Sequence, residues 1–194
     1  MFANRLSIGA LALALALTLF LTLSFVARAD VALATLSVSR SGDEVIVLAT
    51  AEVTADDATT WDVVTGYDRL PDFIPDMSAS HILERNGSDA LVQQSGRAGL
   101  GPFKQDFSVL WAVHEVPQQS VTAHAVAGDF TRFESAYRLH PDGPGHTRIE
   151  YSAVIEPKGG IPPLVGLFVM RSAIRAQFEA LLAEIDRRTR VPAG

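Results

Sequence analysis

The sequence contains no cysteine among its 194 residues. Disulfide bonds, thiolate metal sites and a cysteine nucleophile are therefore excluded. Basic residues are also scarce, with 16 Lys and Arg against 22 Asp and Glu and a net charge of −6. This balance argues against nucleic-acid binding, which depends on neutralising phosphates with Lys and Arg. The chain carries no P-loop, no Gly-x-Ser-x-Gly elbow and no dinucleotide fingerprint after a strand, so we predict no cofactor and no catalytic constellation.

The histidines do not have the spacing of metal ligands. None of the five forms a His-x-x-x-His pair on a helix, and all are dispersed along the chain: His81, His114, His124, His140 and His146. Strand alternation places His114 and His124 on an outward face. We therefore expect surface histidines and predict no metal site.

Residues 1–29 have the pattern of a secretory signal peptide. A basic start with Arg5 is followed by an uncharged run from 6 to 26, and Ala27-Arg28-Ala29 places small residues at a cleavage site. The run is also long enough for the roughly 20 apolar residues that span a bilayer, so an uncleaved N-terminal anchor is the alternative. The remainder is expected to be exported, either periplasmic after cleavage or anchored to the inner membrane facing the periplasm. Cleavage would take the net charge from −6 to −8.

The order of strand and helix patterns in residues 30–190 predicts one α+β domain, and residues 191–194 would form a tail. Two β-rich runs come first, Val31–Ser39 and Val45–Val53, and two short helical segments follow at Ala58–Tyr67 and Asp72–Ile74. Six further strands are separated by turn compositions, which favours antiparallel neighbours: Met77–Glu84, Ala90–Arg97, Phe103–Val116, Ser120–Gly128, Phe130–His140 and His146–Glu156.

A long helix is predicted from about Pro163 to Thr189. Its apolar face is expected to bury Ile174, Phe178, Leu181 and Ile185 against the sheet, and its opposite face carries Glu179, Glu184, Arg187 and Arg188 toward solvent.

The segment WDVVTGYDRLPDFIP, residues 61–75, resembles the W-x-V-L-T-D-Y-x-x-Y-P-x-F-x-P stretch of START-like (SRPBCC) proteins. More narrowly, it is similar to the polyketide cyclase and coenzyme Q-binding START-domain group. Gly101-Pro102-Phe103, Gly128-Asp129-Phe130 and Ile155-Glu156-Pro157 also fit that group, and the resemblance covers about Ala49 to Arg190. Gly66 and Leu70 depart from the residues that the family often has at those positions.

The resemblance implies a helix-grip fold. A curved seven-stranded antiparallel sheet would surround the long C-terminal helix, with two short helices after the first strand, and Val31–Ser39 would be an additional strand. The resemblance also implies a cavity between sheet and helix for a hydrophobic small molecule such as a lipid, a quinone or a polyketide-like compound.

Alternation along the predicted strands identifies the residues that face this cavity. Small inward residues occur among bulky ones: Ala123, Ala125, Ala127, Ser135 and Ala153. They indicate either unfilled space beneath the helix or a close approach of helix and sheet. The predicted ligand-binding residues are Phe103, Phe107, Trp111, Phe133, Ser135, Tyr137, Ile149, Tyr151, Phe168, Arg171, Ile174 and Phe178.

Three functions are compatible with these features. The preferred hypothesis is a carrier or sensor for a lipid or quinone, because no catalytic constellation accompanies the inner-face pattern. The alternative is a cyclase- or aromatase-like enzyme acting on a polyketide-type substrate in the same cavity. The second alternative is a protein-interaction module with a vestigial cavity.

Leu164, Leu167 and Phe168 at the start of the last helix are candidates for transient membrane contact. Oligomeric state is not readable from these features.

Overall fold

The computed structural model describes residues 33–98, 104–159 and 166–190. The predicted signal segment 1–29 and the tail 191–194 lie outside the described residues. Within those three ranges, no helix combines the length and the apolar character needed to cross a membrane.

The described residues form eight strands, two α-helices and one 3₁₀ helix. In chain order these are β1 Leu33–Ser41, β2 Glu44–Val53, α1 Asp57–Val64, the 3₁₀ helix Tyr67–Asp72, β3 Met77–Asn86, β4 Asp89–Ala98, β5 Gln105–Val116, β6 Ser120–Gly128, β7 Phe130–Pro141, β8 Thr147–Pro157 and α2 Gly166–Arg190.

All eight strands belong to one antiparallel sheet in the order β1-β2-β8-β7-β6-β5-β4-β3. The α+β class with a large antiparallel sheet and a long C-terminal helix is confirmed, but the count of seven strands is wrong. The additional strand β1 joins the same sheet because the turn at Gly42, with φ +61°, folds it back along β2. The short helices consequently follow the second strand and not the first.

The first short helix begins and ends for identifiable reasons. The Asp56 side chain accepts a hydrogen bond from the Thr59 amide at 2.7 Å and caps the helix N-terminus. The helix was predicted to reach Tyr67 but ends at Val64. The chain turns away from the helix at Thr65 and Gly66, and this turn requires glycine because a Cβ at position 66 would lie 2.8 Å from the Asp62 carbonyl oxygen. The second helical segment therefore starts earlier than predicted, as the 3₁₀ helix.

Helix α2 packs its predicted apolar face against the sheet. Phe178, Leu181 and Ile185 are buried, and Ile174 is half-buried. The assignment of Glu184 to the solvent-facing side is wrong, because its side chain is buried between two arginines of its own helix. One of these, Arg188, also donates to the Asp62 carbonyl of α1 at 3.3 Å.

A β-bulge in β6 changes the face on which one predicted inward residue lies. Trp111 pairs with Ala125, but Leu110 pairs with Ala127, so Val126 is the extra residue. Ala127 therefore shares the outer face with Leu110 and is exposed, contrary to its predicted inward position.

Candidate functional site

A cavity of about 730 Å³ lies between the inner face of the sheet and α2. Ligand sites in proteins commonly have volumes of about 300–1,000 Å³. Charged residues line the end of the cavity where β5 begins and β8 ends: Lys104, Asp106, Asp129 and Lys158. We call this end the mouth, because its lining includes exposed side chains. The opposite end is closed by buried residues such as Val64 and Leu181.

Eight aromatic residues contribute to the cavity wall. Trp111 meets Phe133 edge to face with centroids 4.6 Å apart, and Phe133 meets Phe130 in the same way at 4.8 Å. Tyr151 lies between Tyr137, at 4.6 Å, and Phe178 of the helix, at 4.9 Å. Edge-to-face contacts hold these rings in fixed orientations around the space.

Eight of the predicted ligand-binding residues line this cavity: Phe107, Trp111, Phe133, Ser135, Tyr137, Tyr151, Ile174 and Phe178. They come together because they occupy the inward register of β5, β7 and β8 and one face of α2.

Three of the other four predicted residues lie elsewhere. Ile149 is sealed in the core at 2% exposure and does not reach the cavity. Phe168 is 67% exposed, and Arg171 is exposed with its Nη2 donating to the Val38 carbonyl at 3.0 Å. Neither residue is among those of α2 that line the cavity, such as Met170 and Ile174. Phe103 lies outside the described residues.

The small inward residues border unfilled space at one position and a close approach of helix and sheet at another. Ala123 and Ala153 are the two cross-strand neighbours of Ser135. Ala123 lines the cavity, whereas Ala153 is 4% exposed and packs with core residues beneath α2. The unfilled space is therefore centred on the β5–β7 side of the sheet, and helix and sheet approach closely at β8.

Sequence reasoning did not identify Gln94, which also lines the cavity. Its Oε1 accepts a hydrogen bond from Trp111 Nε1 at 2.8 Å, and its Nε2 donates to Ser80 Oγ at 3.2 Å. The pairing of Gln94 with Val109 places it in the inward register of β4, and extending the strand alternation to β4 could have found it.

Tyr67 is buried and also lines the cavity. Its hydroxyl donates to Glu115 Oε1 at 2.9 Å, and Arg85 pairs with both oxygens of the same carboxylate. Burial, followed by the Glu115 charge, raises the pKa of Tyr67. The residue is thus a neutral donor held by an ion pair.

All three tyrosines of the chain line the cavity. Burial raises the pKa of Tyr137 well above its ordinary value and also raises that of Tyr151, where the Ser135 hydroxyl acts in the opposite direction. Near neutral pH these hydroxyls are protonated, so they can donate hydrogen bonds but cannot serve as bases. Among the described residues, no group of three or more His, Asp or Glu side chains is arranged to hold a metal ion.

Comparisons with known proteins agree with this architecture. The family model described as "Polyketide cyclase / dehydrase and lipid transport" matches residues 53–182. The aromatase/cyclase Zhui from Streptomyces sp. R1128 has a similar structure, with a TM-score of 0.66 at 16% identity, covering 78% of this chain and 99% of that one. A START superfamily protein from Mycobacterium smegmatis has a TM-score of 0.58 at 20% identity, covering 75% and 97%. No curated protein sequence matches significantly.

Proposed function

The chain belongs to the polyketide cyclase / dehydrase and lipid transport family, and we propose that it is an exported carrier or sensor for a hydrophobic ligand such as a lipid or quinone. The observation that carries this proposal is the aromatic-lined cavity of about 730 Å³ beneath α2. An apolar void of this size is costly in a close-packed interior, and a bound apolar molecule would remove that cost.

The charged mouth suits a ligand with one polar end. The chain has only two lysines, Lys104 and Lys158, and both line the mouth. Lys104 pairs with Asp76, and Lys158 donates to the Gly128 carbonyl at 2.8 Å. A ligand with an apolar body would bury that body among the aromatic rings and keep its polar end near water.

Tryptophan quenching tests this proposal sharply, because the chain has two tryptophans and only Trp111 lines the cavity. Trp61 of α1 is partly buried in the core. A brominated long-chain alcohol quenches an indole only on close contact. We expect strong, saturable quenching in Trp61→Phe, where Trp111 is the reporter, and little in Trp111→Phe. Equal quenching of the two reporters, or none in either, would reject the cavity as the binding site.

An enzyme acting on an apolar substrate is the second candidate, favoured by the hydroxyls of Tyr137 and Tyr151 on the cavity wall. Their raised pKa values make them poor proton acceptors at neutral pH, which is why the carrier is preferred. Replacing both tyrosines with Phe separates the two functions. A carrier should still bind an apolar ligand, whereas an enzyme that needs either hydroxyl should lose turnover by orders of magnitude.

We also propose that ligand enters while the start of α2 touches a membrane. Phe168 in the first turn of α2 is 67% exposed, and Leu167 next to it is half-buried. Leu164, predicted to join them, lies outside the described residues. Phe168→Ser should slow ligand uptake from neutral phospholipid vesicles several-fold and leave the equilibrium affinity unchanged. An unchanged uptake rate would count against membrane contact at this residue.

A further inference from the structure

Two tyrosine hydroxyls face the cavity on adjacent strands. Tyr137 and Tyr151 are directly paired across β7 and β8. Unlike Tyr67, whose hydroxyl donates to Glu115, Tyr137 makes no side-chain hydrogen bond within the described residues, and Tyr151 has only the nearby Ser135 hydroxyl. Both side chains line the cavity, so a ligand bound there can reach the pair.

A hydroxyl in apolar surroundings is costly when it has no hydrogen-bond partner. The rings around this pair, including Phe178, offer no strong acceptor. Because the tyrosines are neutral donors, a ligand that displaces water from them satisfies them by bringing in an acceptor atom.

The charge of the wall decides what kind of acceptor this is. Among the described lining residues the only cations are the two lysines at the mouth. The stretch of β7 from Phe130 at the mouth to Tyr137 spans roughly 20 Å. Arg85 lies behind Tyr67, but it is already paired with Glu115. Burying a carboxylate or phosphate without an unpaired cation beside it is strongly unfavourable, whereas a neutral carbonyl oxygen needs only the donors that are present.

We infer that the ligand is a neutral amphiphile whose buried part carries a carbonyl oxygen, and that this oxygen accepts hydrogen bonds from Tyr137 and Tyr151. The inference rests on the proposed function and adds the chemical class of the ligand. Ser135, the inner-face residue before Tyr137 on β7, supplies a third hydroxyl to the same patch.

Three probes with one ring skeleton test this inference: acetylnaphthalene, a neutral ketone; ethylnaphthalene, a hydrocarbon; and naphthoate, an anion. Their dissociation constants would be measured by equilibrium dialysis with the delipidated full chain. The wild type should bind the ketone about 2- to 10-fold more tightly than the hydrocarbon, the range expected of one neutral hydrogen bond, and naphthoate should bind most weakly.

The variants Tyr137→Phe and Tyr151→Phe should lose the preference for the ketone while keeping the affinity for the hydrocarbon. Thr122→Val is the matched control, because it removes an exposed hydroxyl from the outer face of β6. It should leave all three affinities unchanged. Thermal melting would verify that each variant is folded.

The possible results distinguish this inference from the proposed function. Equal binding of ketone and hydrocarbon by the wild type, or a ketone preference that survives both tyrosine variants, overturns the carbonyl inference and leaves the cavity as a binding site. Tightest binding of naphthoate also overturns it. Failure of every probe to bind the wild type contradicts the inference and the proposed function together.

Discussion

Replacing Ala123 with Leu should stabilise the ligand-free protein, and the same substitution at Ala153 should destabilise it. Both alanines are cross-strand neighbours of Ser135, one on β6 and one on β8, so they share the inner face and the same row of the sheet. They differ in what lies above them, because Ala123 borders the cavity and Ala153 lies beneath the packed side chains of α2.

The magnitudes follow from the added atoms. Leucine brings three more carbons than alanine, worth about 0.8 kcal/mol each when they are removed from water. Rotamer entropy offsets about 0.5–1 kcal/mol of this, which leaves a gain of about 1.5 kcal/mol for Ala123→Leu. At Ala153 the added carbons have no space, and overpacking costs about 1–3 kcal/mol.

Urea unfolding of delipidated protein measures both changes, provided that the m-value stays constant. The predicted difference between the two variants is about 2.5–4.5 kcal/mol, with opposite signs relative to wild type. A loss of more than about 1 kcal/mol for Ala123→Leu, comparable to that for Ala153→Leu, would refute the reasoning. Helix and sheet would then be in close contact at both positions.

Two further predictions concern stability. The arginines beside Glu184 lower its pKa from 4.5 to about 2. The carboxylate therefore stabilises the fold by at most about 3 kcal/mol above pH 4.5, and this contribution is lost as the pH falls from 4.5 toward 2. Glu184→Gln should flatten the dependence of the unfolding free energy on pH between 4.5 and 2, and an unchanged dependence would contradict the prediction. Gly128 has φ +114°, and a Cβ there would lie 2.2 Å from the Ser108 carbonyl oxygen, whereas Gly143 has φ +88° and open space. Gly128→Ala should therefore cost more than about 3 kcal/mol in thermal or urea unfolding and Gly143→Ala about 1–2, and similar losses would argue against the close contact.

Strand positions and the inner face were largely predictable because a period of two is visible in the sequence wherever one face is buried. Trp111 and Tyr137 follow this rule directly. Ala127 does not, because a single extra residue at Val126 shifts the register and leaves no signal in residue type.

Helix α2 shows a different limit of sequence reasoning. A helical wheel assigns Glu184 to the polar side, but it cannot show that Arg188 reaches α1 and that the carboxylate is enclosed by the arginines that neutralise it. Glu184 is a charged residue that is buried, and Phe168 is the converse case. It was expected to bind ligand because it is apolar and lies beside an apolar face, but its side chain is exposed.

The most direct test of the central claim is native mass spectrometry, with lipid extraction, on protein purified after expression of the full chain with residues 1–29 in place. We predict a defined neutral lipophilic molecule bound at one copy per chain, and the same spectrum would show whether residues 1–29 have been removed. A protein that is consistently free of ligand, with a melting temperature unchanged across a panel of lipids and quinones, would contradict the carrier function.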